Sequence, residues 1–132
     1  MSEKTDRTIL IVDDEPDVTA YLGAFFEDNG FRVIIAADGK EGFEKTKAEH
    51  PDLITLDITM PGESGVRMFR DLQQDPATTD IPVIIITGIS HDFKRFIETR
   101  RQVRPPEGYF EKPINREELL AKINEILSRK TA

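Results

Sequence analysis

Four stretches of this chain are almost unbroken apolar runs rich in β-branched residues: "TILIVD" (8–13), "FRVIIA" (31–36), "DLITLD" (52–57) and "IPVIIIT" (81–87). A strand with one wet face alternates polar and apolar side chains, whereas an unbroken run implies cover on both faces. A shorter fifth strand fits "GYFEK" (108–112). The intervening stretches at 15–29, 40–49, 65–74, 90–102 and 115–129 read as helices. Asp14 or Glu15 precedes Pro16 at a helix start, and Gly30 stands where a C-terminal cap belongs. Asn115 with Glu118 three residues later suits an N-cap, and Leu119, Leu120, Ile123, Ile126 and Leu127 fall on one helical face. Five strands alternating with five helices predict a doubly wound α/β domain with a five-stranded parallel sheet and helices on both faces. The domain is expected over 7–129, with a flexible N-terminus at 1–6, a short tail at 130–132 and no output domain.

In such a sheet the functional crevice opens beyond the carboxyl ends of the strands. Strand 1 ends in Asp13-Asp14-Glu15, strand 3 in Asp57, strand 4 in Thr87-Gly88 and strand 5 in Lys112-Pro113. Strand 2 ends in Ala36-Ala37 and offers no chemistry. Carboxylates gathered so closely repel one another unless a cation intervenes. The chain has no cysteine and the cluster has no histidine near it, so the donors are oxygens. Oxygen donors suit a hard divalent ion: Mg²⁺, with Mn²⁺ as a substitute. Lys112, the Thr87 hydroxyl and the Gly88 backbone N–H could then hold the oxygens of a phosphoryl group, with Asp57 as nucleophile.

Charge narrows the partners. A net charge of −7 argues against nucleic acid, whose binding needs a basic surface. No apolar run reaches the roughly 18 residues of a membrane span, and "MSEKTDRT" lacks a signal-peptide core, which fits a cytoplasmic protein.

The pieces "ILIVDDEP", "LITLDITMPGESG", "VIIITG" and "YFEKPI" occur in this order, and Asp57 to Gly65 fits D-x-x-M-P-x-x-x-G. In these the chain resembles the receiver domain of two-component response regulators, from about residue 7 to 129. The resemblance implies a flavodoxin-like fold with strand order 2-1-3-4-5. It also implies that Asp57 is the phosphoacceptor, and that Asp14 and Asp57 are direct Mg²⁺ ligands. Asp13 would act directly or through water, and the Thr59 carbonyl would complete the set. Thr87 would be the switch hydroxyl, Lys112 the phosphate-sensing cation and Tyr109 the switch aromatic; the plainer reading of Tyr109 is an aromatic covering the sheet edge. The implied donor is a phosphohistidine on a sensor histidine kinase or a histidine phosphotransfer protein. The implied output is a downstream protein target bound through the fourth helix, fifth strand and fifth helix, with a phosphorylation-dependent homodimer as a further assembly.

Three features depart from the family pattern. Glu63 stands where an apolar residue is usual. Thr59 and Ile89 flank the path of an attacking water and leave the acyl-phosphate lifetime open. Between 94 and 104, Lys94, Arg95, Arg100, Arg101 and Arg104 oppose the single acid Glu98, either as a solvated helix face or as a docking surface for an acidic partner. Two other functions compete: a phosphorylation-independent interaction module, and a haloacid-dehalogenase-type phosphatase. The latter typically carries a second acid two residues after its nucleophile, where this chain has Thr59.

Overall fold

The computed structural model describes residues 7–60, 62, 64–88 and 106–131. Glu63, Ile89, the helix expected at 90–102 and the cations Lys94, Arg95, Arg100, Arg101 and Arg104 lie outside the described residues.

Strands β1 (Thr8–Val12), β2 (Arg32–Ala36), β3 (Leu53–Asp57), β4 (Val83–Thr87) and β5 (Gly108–Glu111) form one parallel sheet in the order β2-β1-β3-β4-β5. Helices α1 (Pro16–Asp28), α2 (Gly39–Glu49), α3 (Ser64–Gln74) and a C-terminal helix (Arg116–Thr131) connect and cover it. Alternation along the strands divides the core in two. Ile9, Ile11, Leu53, Ile84 and Ile86 meet Leu22 and Phe26 of α1 and Leu119, Ile123, Ile126 and Leu127 of the C-terminal helix. Leu10, Val12, Ile54, Leu56 and Ile85 meet Met68, Phe69 and Leu72 of α3, with Phe43 of α2 against them.

The unbroken runs are explained for β1, β3 and β4, whose residues are all buried. They mislead for β2. That strand lies at the sheet edge, Arg32 is exposed, and Ile35 is 41% exposed. Lys45 of α2 donates to the Ile35 carbonyl at 2.7 Å, placing a cation on the open edge. The fourth strand begins at Val83 rather than Ile81; Pro82 has no N–H to give the ladder, but its carbonyl accepts from Ile54 N–H at 3.0 Å.

Helix ends follow their local chemistry. Pro16 opens α1 behind Glu15, and the chain leaves at Gly30 with φ 92°. Gly30 N–H donates to the Glu27 carbonyl and Phe31 N–H to the Phe26 carbonyl, both at 3.1 Å, the paired bonds of a Schellman cap. Asn115 Oδ1 accepts from Glu118 N–H at 3.1 Å as expected. Leu120 is only half-buried, at the margin of the C-terminal helix's apolar face.

One core position breaks the pattern. Thr55, in the middle of β3, lies in register between Ile11 and Ile84, is fully buried, and its Oγ1 has no hydrogen-bond partner among the described residues. A buried hydroxyl without a partner loses its water for nothing in return. Thr55→Val is therefore expected to raise stability by about 1 kcal/mol, seen as a higher urea midpoint with an unchanged slope.

Candidate functional site

The ends of β1 and β3 carry acids for a common reason. Adjacent parallel strands finish at the same level, so residues just past their ends share one rim. Asp13 and Asp57 are both buried, 4% and 2% exposed. Each uses one carboxylate oxygen to accept the backbone N–H two residues on. Asp13 Oδ1 accepts from Glu15 at 2.9 Å and Asp57 Oδ1 from Thr59 at 2.8 Å. These Asx turns fix both carboxylates and satisfy the N–H groups of Glu15 and Thr59 just beyond the strands. The Thr59 hydroxyl adds a second bond to Asp57 Oδ1 at 2.6 Å.

Their remaining oxygens face Lys112. Its Nζ lies 3.0 Å from Asp57 Oδ2, 3.1 Å from Asp13 Oδ2 and 2.5 Å from Glu15 Oε1. Lys112 reaches this point because its backbone N–H donates to the Thr87 carbonyl at 2.9 Å, which locks the end of β5 to the end of β4. Thr87 itself is fully buried. The Lys112–Pro113 peptide is cis. A side-chain carbon built on Gly88 would lie 3.9 Å from Thr59 Oγ1, so the Gly88 backbone borders the same pocket. Tyr109 stands further back on the edge strand β5, opposite Ile85 and half-buried against the core.

Asp13, Asp14 and Asp57 offer carboxylate oxygens that all lie within 4.8 Å of one another; Asp14 is exposed while the other two are buried. Three carboxylates, those of Asp13, Glu15 and Asp57, gather around the Lys112 ammonium, with Asp14 beside the two buried acids. Burial, more than any other influence, pushes the Asp13 carboxyl above the usual carboxylate range, and the charge of Asp57 adds to it; the Glu15 N–H and Lys112 oppose the rise. Burial also works against the charge on Lys112, but its bonds to Glu15, Asp57 and Asp13 prevail and hold the ammonium above the ordinary lysine range. The buried Asp13 carboxylate is thus under-compensated by the protein alone. An all-oxygen donor set with excess negative charge and one exposed member fits a hard divalent cation that keeps part of its water shell.

The structure brings together Asp13, Asp14, Asp57, Gly88 and Lys112 from the strand ends, with Thr59 beside them and Thr87 bonded to Lys112 through its backbone. Two participants went unassigned by that reading. One is Glu15, the third acid of "DDE", which pairs with Lys112. The other is the Thr59 side chain, which holds Asp57 from a position two residues on, where an Asx turn after a strand-ending aspartate is a recognisable signal.

Known proteins share this fold. The family model for the response regulator receiver domain matches residues 9–124. The chain is 38% identical to the protein PilH of Pseudomonas aeruginosa over 120 residues, covering 91% of this chain and 97% of PilH. It is 34% identical to the phosphate regulon transcriptional regulatory protein PhoB of Escherichia coli, of which it spans 52%. Among solved structures, a CheY-like response regulator receiver domain protein of Methanospirillum hungatei superimposes with a TM-score of 0.82 at 28% identity, over 95% of this chain and 96% of that one. A receiver domain protein of Clostridium thermocellum gives 0.81 at 27% identity, over 95% and 97%.

Proposed function

The chain belongs to the response regulator receiver domain family, and from that premise we propose that it is a signalling phosphoacceptor whose Asp57 takes a phosphoryl group in a Mg²⁺-dependent reaction. The observation that carries this reading is the position of Lys112 Nζ, 3.0 Å from Asp57 Oδ2 inside a group of three aspartates. Asp57 Oδ1 is occupied by the two Thr59 donors, which leaves Oδ2 as the attacking oxygen. Its attack on phosphorus forms the acyl phosphate as the P–N bond to a donor imidazole breaks, the electron pair leaving with the imidazole nitrogen. Asp14 and Asp57, with Asp13 directly or through water and the Thr59 carbonyl, would hold the metal. When bound, it would supply positive charge to the phosphoryl oxygens.

Lys112 is already aimed at the oxygen that becomes esterified, so it can follow the phosphoryl group with little rearrangement. The Thr87 hydroxyl and the Gly88 N–H are the proposed partners of the remaining oxygens. Phosphorylation then favours the conformation in which these groups close on the phosphoryl group, with Tyr109 as the proposed reporter of that shift. The donor is a sensor histidine kinase or a histidine phosphotransfer protein, in the cytoplasm, and the output is altered binding of a protein target. The basic residues Lys94, Arg95, Arg100, Arg101 and Arg104 are the proposed docking surface for that target. No turnover of a small substrate is proposed beyond the chain's own phosphotransfer and autodephosphorylation.

The test is incubation with Mg²⁺ and acetyl phosphate followed by intact-mass measurement. Wild type is expected to gain one phosphoryl group, Asp57→Asn none, and EDTA should suppress the gain. A wild type that stays unmodified would support a phosphorylation-independent interaction module instead.

A further inference from the structure

We propose that Glu15 is a specificity-determining residue of this site: a carboxylate at its mouth that engages Lys112 and disfavours small, doubly charged phosphodonors relative to less charged ones. The proposal rests on the phosphoacceptor reading of Asp57 and deepens it.

Glu15 occupies the N-cap position of α1, where a side chain would ordinarily bond the first N–H groups of its own helix, yet it makes no capping bond. Its backbone is fixed instead by the Asx turn to Asp13, and its carboxylate extends to Lys112 Nζ at 2.5 Å. The three contacts of Lys112 differ in kind. Asp13 and Asp57 hold it from within, each with 3% of its side chain exposed; Glu15 holds it from the solvent side, with 58% exposed. So exposed a pair adds little to stability. Its consequence lies in the field at the mouth. An anion arriving at Asp57 meets the Glu15 charge, and its phosphoryl oxygens must compete with Glu15 for the ammonium. Repulsion scales with the charge of the arriving group, so a dianion is penalised about twice as strongly as a monoanion. A donor presented by a protein surface can bring its own compensating cations; a small free donor cannot.

Two small donors separate the charge effect from any general change in reactivity. Acetyl phosphate is a dianion near neutral pH, and its P–O bond breaks with the pair leaving on acetate. Phosphoramidate is a singly charged zwitterion there, and its P–N bond breaks with the pair leaving on an already protonated nitrogen, as ammonia. With Mg²⁺ and low salt, Glu15→Gln is expected to accelerate phosphorylation by acetyl phosphate by about five-fold and by phosphoramidate by about two-fold. The change in ratio should shrink as salt rises, because added ions screen the mouth. Glu15→Asp keeps the charge and should keep the wild-type ratio, whereas Glu15→Lys should move it further than Glu15→Gln.

Equal effects on both donors, no effect on either, or a ratio insensitive to salt would overturn the proposal while leaving Asp57 as the phosphoacceptor. Failure of wild type to accept phosphoryl from both donors would instead overturn the phosphoacceptor reading, and the role of Glu15 with it.

Discussion

Lys112→Ala, unfolded by urea in EDTA, is expected to be less stable than wild type by about 2 kcal/mol, and to recover most of that loss when Mg²⁺ is added. The substitution leaves the carboxylates of Asp13 and Asp57, each with 3% of its side chain exposed, without the ammonium that now lies 3.1 and 3.0 Å from them. Breaking a fully buried ion pair by removing one partner typically costs more, about 3–5 kcal/mol. The smaller figure reflects the 19% exposure of the Lys112 side chain, which means that water already shares its charge. Recovery with Mg²⁺ is the diagnostic half of the result. The same carboxylates that lose a cation are those proposed to ligate another, so the metal should stabilise the variant more than it stabilises wild type. Phosphorylation should nonetheless stay slow, by about 100-fold, because a charge aimed at the reacting oxygen has been removed. Equal stability of the two proteins in EDTA would show that Lys112 does not compensate the buried acids.

Gly65→Ala is expected to cost about 2–3 kcal/mol, although alanine is the better helix former. Gly65 lies in the first turn of α3 against the end of β3. A Cβ built there would be 2.3 Å from the Asp57 carbonyl oxygen and 2.8 Å from Ile58 Cα. Both are backbone atoms, so relief requires α3 or the end of β3 to move, and the end of β3 carries the phosphoacceptor. Weaker Mg²⁺ binding should therefore accompany the loss of stability. The same change at Gly23, inside α1, has the opposite expectation. Its Cβ would meet Val33 Cγ1 at 3.6 Å and Ile35 Cδ1 at 3.8 Å, ordinary contact distances, and alanine should gain about 0.5–1 kcal/mol. Urea midpoints of the two variants beside wild type test the pair, and a tolerant Gly65→Ala would mean that the approach of α3 to β3 is softer than the structure implies.

The contrast between these glycines marks what could be read in advance. Gly65 belongs to the D-x-x-M-P-x-x-x-G spacing and was visible as part of a pattern. That its hydrogen faces the carbonyl of Asp57 itself is a fact of helix-on-strand packing. The buried runs of β1, β3 and β4 were equally legible, since cover on both faces removes the polar alternation. The exposed Ile35 of β2 was not, because hydropathy cannot distinguish an edge strand from a central one. The convergence of Asp13, Asp57 and Lys112 was legible because parallel strands deliver their carboxyl ends to one rim. The pairing of Lys112 with Glu15 was hidden: the two are 97 residues apart, and "DDE" before a proline reads equally well as a helix start.

Taken alone, the sequence determined the fold class and the chemistry at each strand end, since periodicity, turn residues and charge are local properties of the chain. The tertiary structure decided which acid shares the lysine, which oxygen of Asp57 meets that lysine and which glycine has no room for a methyl group. Those outcomes depend on distances of a few ångströms between segments far apart in the chain, and such distances arise only when the helices settle against the sheet.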